Sequence, residues 1–519
     1  MEQLKKAIRK NVAGRRITDQ FYVDGDVNVP DAKSDIGRVV YSRGTLRVDD
    51  MKTVDNYIRV TGKILYQILY VLESEEQRMS ALQGKIPFEE MVYAEEEPKG
   101  SLLLKEGSVE LSVSLVHSRK VSLKAMVEIE LSSENEEEDI LTLDVEEEPG
   151  LYRRWEPKEV LKLHSVKKDT YRIKEEFALS NTKETIGNIL LAEVSQRRLD
   201  TRLGTDELLL RGEMVVFILY ESVDGKTDWA EQTIPYEGRI ECYGAEDTMY
   251  HHLIGGVIDE NIDVRMDADG EMRIVGVEAT LEMRAAIYSE EKLNILTDIY
   301  SLKQTLKPEF AQVEAAGLVM QNYSKYKLSE QISIPELRSE ILQVCHTDGS
   351  LKIEHTEIVS DGIMAEGVLH ICFLYIKADD EAPFEVWQGM VPFTYVIECN
   401  GAEADMEYDI GTILEQVSVG ILGNGEAEVK ATVGFQIFLR RPERILNIQD
   451  IGEEPLDLEQ LSRAPGIVGY IVKDGDELWE LAKRYHTTIE GIKSINQIEG
   501  DTLKPGEKML IFKENMSIL

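Results

Sequence analysis

Apolar residues alternate with polar ones over much of this chain. Residues 109–115 have valine or leucine at every second position, which is typical of a strand with one face in water. Residues 213–220 are rich in β-branched and aromatic side chains and too short for a buried helix, which favours a core strand. Residues 423–425 read Gly-Asn-Gly and tolerate the positive φ angles of a hairpin turn. The pattern predicts a mainly antiparallel β protein.

A set of landmarks occurs three times in the first 450 residues. An isoleucine is followed after 26 residues by a glycine, then by a Leu-Tyr pair, an aliphatic-Pro-aromatic triplet and an Ile-Leu pair. The isoleucines are Ile36, Ile186 and Ile341, the glycines are Gly62, Gly212 and Gly367, the triplets are 86–88, 234–236 and 391–393, and the pairs are 140–141, 295–296 and 445–446. The glycines lie 150 and 155 residues apart, which indicates a tandem array and favours binding or scaffolding over catalysis.

Each repeat is expected to be an antiparallel, sandwich-like β domain of about 120–130 residues. The predicted divisions are a basic segment 1–15, repeats 16–143, 171–301 and 326–451, connectors 144–170 and 302–325, a linker 452–465 and a final module 466–514. The landmark glycines are expected to allow a bulge or a close approach of two strands. The proline triplets are expected at the start of an edge strand, where a missing N–H does no harm.

The composition is that of an acidic globular protein. The 97 acidic and 58 basic side chains give a net charge of −39, which disfavours binding to nucleic acid or to an anionic membrane. Residues 1–20 are basic without the apolar core of a secretory signal, so a frayed end or a short basic helix is expected. No apolar run reaches the roughly 18–20 residues that cross a bilayer. Four cysteines without CxxC spacing predict buried thiols in a reducing cytoplasm.

No group of residues predicts catalysis or metal binding. His251-His252 has no third ligand at a suitable spacing and is expected in a solvated loop. Cys345-His346 are adjacent in sequence, which is not the geometry of a nucleophile and its base. The acidic run 136–139 lacks EF-hand spacing and is expected to be solvated. Because the usual nucleotide-binding, hydrolase and zinc-protease motifs are also missing, we expect no enzyme activity, cofactor or metal.

The last fifty residues have a different pattern. Residues 470–472 predict a strand, Asp476 is placed to cap a helix with an apolar face, and Thr488 is placed to cap a second helix. Residues 503–506 then turn into a returning strand. This βααβ pattern closely resembles the LysM module over its whole length.

The resemblance implies a glycan groove between the loop after the first strand and the loop after the second helix. LysM modules generally bind glycans that contain N-acetylglucosamine. They usually have a small hydroxyl residue after the Gly-Asp pair, where this chain has Glu477, and the facing loop carries Glu499 and Asp501. A carboxylate that loses its water without gaining a partner opposes sugar binding, so glycan binding is disfavoured.

With this module in view, the three repeats resemble the SPOCS domain of spore-coat proteins. Three such repeats followed by one LysM module resemble the SipL-like spore-coat morphogenetic proteins. The resemblance implies a non-catalytic scaffold in the mother-cell cytoplasm, at the forespore surface. It also implies that the LysM module binds the ATPase of the coat basement layer, stage IV sporulation protein A. Other coat proteins or a second copy of the chain are further expected partners.

A set of module residues is predicted to bind the partner: Ile467, Val468, Glu477, Trp479, His486 and Lys504. Trp479 is expected either to be partly buried against the first strand or to expose an edge as an interface hot spot. Ile467 and Val468 precede the predicted strand and have little core to fill. One alternative is a glycan-binding protein of the cell wall or spore cortex, which the missing secretory signal disfavours. The other is an enzyme with a LysM targeting tail.

Overall fold

The computed structural model describes residues 1–74, 78–335, 341–378 and 384–514. Strands dominate its first 455 residues, and a small module with helices between two short strands follows. The predicted fold class, tandem antiparallel β repeats followed by a βααβ module, is confirmed. In the described ranges no helix has both the length and the apolar character needed to span a bilayer.

The first repeat is a sandwich of two antiparallel sheets. One sheet has the order β3-β4-β5, and in the other β7 lies between β2 and β6. The facing sides bury one core that includes Phe21, Ile64 and Val127. The strands are β1 (Gln3–Ala13), β2 (Ile17–Asn28), β3 (Ile36–Val54), β4 (Tyr57–Leu72), β5 (Met79–Tyr93), β6 (Ser101–His117) and β7 (Lys120–Val145).

The second and third repeats have the same strand order. The three strands of the first sheet have 19, 16 and 15 residues in every repeat, and the next strand always has 17. The second repeat consists of β8 (Leu151–Ala178), β9 (Ile186–Gly204), β10 (Glu207–Ser222), β11 (Thr227–Glu241), β12 (Tyr250–Met266) and β13 (Met272–Ser301). The third consists of β14 (Gln304–Ser333), β15 (Ile341–Val359), β16 (Gly362–Lys377), β17 (Phe384–Glu398), β18 (Glu407–Gly423) and β19 (Glu426–Pro455).

The landmark residues fix the register of the first sheet. Gly62 pairs with Phe88, and the ring of Phe88 covers the space where a Cβ of Gly62 would lie. The same cross-strand pair forms in the other repeats, between Gly212 and Tyr236 and between Gly367 and Phe393. The expected close approach at these glycines is therefore observed. The triplets lie in edge strands as expected, but in the middle of β5, β11 and β17 rather than at their starts.

Three two-stranded ribbons extend from the sandwiches and pack together. In the first ribbon, the C-terminal half of β7 pairs with β1. In the second, the C-terminal half of β13 pairs with the first half of β8, and in the third, the C-terminal half of β19 pairs with the first half of β14. Leu141, Ile295 and Ile445, one from each ribbon, are buried in a shared core. Near the ends of the ribbons, Val145, Ile299 and Ile451 belong to a second shared core. The three ribbons therefore join the repeats into one body.

The ribbons overturn the expectation for the N-terminus. Residues 1–15 are neither frayed nor helical, because residues 3–13 form β1 and pair with β7. Two basic residues of β1 face the acidic run 136–139, with ion pairs between Arg9 and Glu136 and between Lys10 and Asp139. The acidic run is thus paired rather than only solvated. The ranges 144–170 and 302–325, expected as connectors, lie largely within β8 and β14.

A partly buried charged cluster joins the three repeats between their first sheets. Arg43, Glu193 and Asp348 occupy the eighth position of β3, β9 and β15. Arg43 Nη1 lies 2.9 Å from a Glu193 oxygen and 3.6 Å from an Asp348 oxygen. Arg197 Nη2 lies 2.7 Å from the other Asp348 oxygen. The same position of the repeat therefore holds a different charged residue in each repeat, and ion pairs between these residues connect the repeats.

His346 extends this cluster. Its ring stacks on Phe217 at 3.9 Å, and its two nitrogens lie 3.2 Å from Glu193 and 2.6 Å from Glu231. Burial acts to lower the pKa of His346, but the hydrogen bonds to Glu193 and Glu231 outweigh it and raise the pKa to about 9. The imidazolium therefore donates both N–H groups at neutral pH.

The remaining titratable pairs have ordinary structural roles. His251 and His252 lie in β12 rather than in a solvated loop, and burial lowers the pKa of His251 to about 4. Cys345 is a buried thiol, and burial raises its pKa to about 12. Cys242 and Cys399 are also buried and free, while Cys372 is half-buried.

We expect Gly62→Ala to destabilise the protein by roughly 1–3 kcal/mol, because the added methyl would overlap the carbonyl oxygen of Arg47 and lie 2.8 Å from the Phe88 ring. Chemical denaturation of the full chain measures the loss. Gly256→Ala is the matched control, since its methyl would enter open space beside a strand. Equal stability of the two variants would contradict the proposed close packing at the landmark glycine.

We expect the stability of the full chain to fall as the pH rises from 6.5 to 9.5. The raised pKa of His346 contributes stability that is complete below about 6.5 and is lost as the pH passes about 9. The shift corresponds to about 3 kcal/mol. Denaturation midpoints at both pH values, for wild type and His346→Gln, isolate this contribution. The same pH dependence in both proteins would refute it.

Candidate functional site: the C-terminal module

The module is built from short elements around a small core. Its elements are β20 (Ile467–Ile471), α2 (Leu478–Tyr485), α3 (Ile489–Asn496) and β21 (Lys508–Phe512), and a short helix, α1 (Leu458–Arg463), precedes them in the linker. Thr488 caps α3 as predicted, accepting a hydrogen bond from the Gly491 N–H. The N-cap of α2 is Glu477, not Asp476. Asp476 instead closes the preceding loop by accepting from the Lys473 N–H at 2.7 Å and the Tyr470 hydroxyl at 2.9 Å.

One side of the module is held against the end of the second repeat's ribbon. Asp298 accepts a hydrogen bond from the Trp479 indole N–H at 2.7 Å and pairs with Lys483 at 2.6 Å. The Trp479 ring meets the Tyr300 ring edge-on at 5.0 Å, and Tyr300 stacks on Tyr152 at 4.9 Å. The indole is 8% exposed, so this contact excludes water from it.

Three polar contacts complete this interface. The Tyr300 hydroxyl donates to the Thr487 carbonyl at 3.0 Å, and Arg154 pairs with Glu477 at 2.7 Å. His486 Nε2 lies 3.1 Å from the Leu302 carbonyl oxygen. Burial lowers the pKa of His486, so its neutral ring donates Nε2–H to that carbonyl. Carboxylate, aromatic and backbone groups of the second repeat thus hold one face of α2.

The second repeat differs from the others at this point. Asp144, Asp298 and Asp450 occupy equivalent places, each accepting from the following backbone N–H. Two and four residues after the aspartate, the second repeat has Tyr300 and Leu302. The first repeat has glutamate at both places, and the third has glycine and glutamate. At these two places, only the second repeat has large apolar side chains that can pack on Trp479.

The structure divides the predicted partner-binding set between two sides of the module. Glu477, Trp479 and His486 contact the second repeat. The expected exposed edge of Trp479 is therefore not observed, and the ring is buried among the module core, which includes Val472, and residues of the second repeat. Val468 is half-buried and packs on the module core, so the expectation that it has no core to fill is also wrong. Ile467 and Lys504 are exposed.

Ile467 belongs to an apolar face of the module. The sequence analysis identified Ile467 but not the other residues of this face. β20 and β21 pair with Ile467 opposite Phe512 and Gly469 opposite Leu510. Ile467 and Ile471 are each 57% exposed, Leu510 48% and Phe512 36%. We call these four residues and Gly469 the outer sheet face. Alternation within 467–471 and 508–512 was the signal for it, since Val468, Met509 and Ile511 pack on the core.

Two of the three acidic residues expected to oppose sugar binding, Glu477 and Asp501, form ion pairs. The Glu477 carboxylate faces Arg154, and Asp501 pairs with Lys493. The expected unpaired carboxylate at position 477 is therefore not observed. Its loop is instead fixed to the second repeat.

A large cavity lies between the three repeats, away from the module. Its volume is 1280 Å³, and strands of all three repeats line it. Both acidic and basic side chains face it, including Glu128 and Lys352, which pair at 2.6 Å. In the described part of the chain, no three His, Cys, Asp or Glu side chains come together as a possible metal site. None of the predicted partner-binding residues lies in this cavity.

We expect Asp298→Ala to loosen the module from the second repeat, because the indole N–H and the Lys483 ammonium lose their acceptor. Hydrogen exchange of the α2 amides should accelerate by about tenfold, while the sandwiches stay unchanged. Asp450→Ala is the matched control, since it removes the equivalent aspartate, whose side-chain partner is Gln3. Unchanged exchange in α2 would show that Asp298 does not hold the module.

Comparison with known families agrees with this architecture. Residues 35–115 and 340–422 match the family model described as SipL, SPOCS domain, and residues 470–512 match the LysM domain. No curated protein and no solved structure matches the chain. The second repeat lies outside both SPOCS matches, although its strands β9 to β12 have the same order and lengths as the corresponding strands of the matched repeats. Both families are non-catalytic, and the SPOCS domain associates the chain with sporulation. The suspected resemblance is confirmed, since this chain carries SPOCS domains of the SipL family and a C-terminal LysM domain.

Proposed function

We propose that this protein is a non-catalytic adaptor in the assembly of the bacterial spore coat and cortex. Its LysM module docks the ATPase of the coat basement layer, stage IV sporulation protein A, in the mother-cell cytoplasm at the forespore surface. The observation that carries this proposal is the outer sheet face, an apolar surface on the side of the module that the second repeat leaves open.

The physical case rests on exposed apolar area at a fixed place. Four large apolar side chains share one small sheet, and burying them against a partner gives a hydrophobic gain of about 25 cal/mol for each Å² removed from water. Interfaces concentrate their affinity in such central apolar groups. Because Asp298 and Tyr300 hold the opposite side of the module, little orientational freedom remains to be lost on binding.

The repeats offer further surfaces to other coat proteins or to a second copy. At one end of the first repeat, Tyr57 and Tyr93 pack at 5.4 Å and are 42% and 57% exposed. Val54 and Met91 beside them are each 41% exposed. Several binding surfaces on one chain raise the effective concentration of their ligands.

The alternative function is glycan binding by the LysM module. The pairing of Glu477 with Arg154 and of Asp501 with Lys493 favours it, because neither carboxylate then faces a neutral sugar without a partner. The two functions use different parts of the module. The glycan groove lies between loops, whereas the protein-docking surface is the sheet.

We expect the full chain to bind the purified ATPase and Ile467→Lys to weaken binding by at least roughly tenfold, because the lysine ammonium would have to be desolvated in the interface. Calorimetric titration measures this. Val223→Lys is the matched control, since Val223 is 72% exposed and lies in the second repeat.

Other outcomes of the same titration would overturn the proposal. If wild type does not bind the ATPase but binds chitooligosaccharide, the protein is a glycan binder. If Ile467→Lys binds normally while Trp479→Ala does not, docking uses the face that contacts the second repeat, and the module must first leave Asp298.

A further inference from the structure

The strand β20 has one edge without a neighbour. Its sheet contains only β20 and β21. The Gly466 carbonyl accepts from the Lys513 N–H at 3.1 Å, and the Val472 N–H donates to the Glu507 carbonyl at 2.9 Å. Backbone groups alternate in direction along an antiparallel strand, so even-numbered residues of β20 face β21. The N–H and C=O groups of Ile467, Gly469 and Ile471 therefore point to the open edge.

The two edges of this sheet differ in whether their backbone groups have hydrogen-bond partners. On β21, the side chain of Asn496 accepts from the Leu510 N–H and donates to the Leu510 carbonyl, both at 2.7 Å. That amide satisfies the groups that a third strand would otherwise bind. Gly469 lies directly opposite Leu510, and within the described ranges no hydrogen bond reaches its N–H or C=O. The open edge is thus the one on β20, and exposed edges of this kind pair with added strands.

The side chains along this edge leave room for an incoming strand. Gly469 is exposed, and a Cβ built on it would meet nothing within 4 Å. Ile467 and Ile471 flank it on the same face, each 57% exposed. An added strand could therefore bring its own apolar side chains between these two isoleucines. Alternate side chains give specificity to such an addition, and main-chain hydrogen bonds give affinity.

The charge of the sheet indicates which strand it would accept. Within the two strands, residues 467–471 and 508–512, the one charged residue is Lys508, which lies opposite Ile471 and is exposed. Although the whole chain has a net charge of −39 and Asp474 and Glu507 adjoin the sheet in sequence, the sheet itself carries only the positive charge of Lys508. Acidic groups beside the incoming strand would be attracted to it, and opposite charges speed association and fix orientation.

We propose that β20 accepts an extended segment of the partner as a third strand, with alternating apolar side chains and acidic flanks. This rests on the proposed function, since the partner is the basement-layer ATPase. It adds that the main contact is a backbone ladder along the open edge, with the exposed side chains of Ile467 and Ile471 packing on the same segment.

The test removes one N–H donor from the open edge of β20. Gly469→Pro deletes the central donor of the open edge, while the bonds to β21 stay because they come from even-numbered residues. Gly469→Ala is the matched control, since it keeps the N–H and adds a methyl where there is open space. Titration of each full-length variant with the purified ATPase should give wild-type affinity for the alanine variant. The proline variant should bind at least roughly tenfold more weakly.

The outcomes separate the two proposals. Wild type that does not bind the ATPase overturns the proposed function, and this inference with it. Wild type and Gly469→Pro that bind equally well leave the adaptor function standing and overturn the strand addition. If the proline variant does not fold, hydrogen exchange of the wild-type complex decides. Slower exchange at the amides of Ile467, Gly469 and Ile471 supports the ladder, and unchanged exchange refutes it.

Discussion

Leu141, Ile295 and Ile445 come from three different repeats and are buried in one core between the ribbons. A two-stranded ribbon has too little apolar surface to be stable alone in water. Each ribbon therefore requires the other two, and the repeats cannot behave as independent domains on flexible connectors. Hydrogen bonds also join the first and third ribbons directly. The Asn447 side chain accepts from the Thr142 N–H and donates to the Ile140 carbonyl.

Charge determines how the repeats are arranged around that core. Arg43, Glu193 and Asp348 stand at one position of the repeat, but they are one cation and two anions. Three identical charges there would repel one another, whereas these form ion pairs across the junction. Charges paired in this way disfavour other arrangements of the repeats, because a buried charge left without its partner is strongly destabilising. The order of repeats along the chain is thus tied to one spatial arrangement.

Local patterns were sufficient to predict the repeated β domains and the βααβ module. Gly62 with Phe88 and Thr488 with Gly491 act over short distances, so their spacing carries the information. Contacts across long stretches of sequence were missed. The strand at 3–13 pairs with residues more than a hundred positions away, and Trp479 packs on Tyr300. The sequence did contain a signal for each contact. For the strand at 3–13 it was the opposite charge of residues 136–139. For Trp479 it was Tyr300 and Leu302, where the other repeats have glutamate or glycine.

The module contacts the tip of one ribbon, while the sandwiches lie at the other end of the ribbons. The chain therefore has a polarity, with one end formed by the module and the other by three sandwiches. The chain also carries one LysM module for its three repeats. Three separate chains, each with one repeat and one module, would instead carry three modules when assembled as a trimer. Each chain attached through its module to a flat layer would stand with its sandwiches directed away from that layer. A film of such molecules would then have two chemically distinct sides, and whatever assembles next would meet only the sandwich ends.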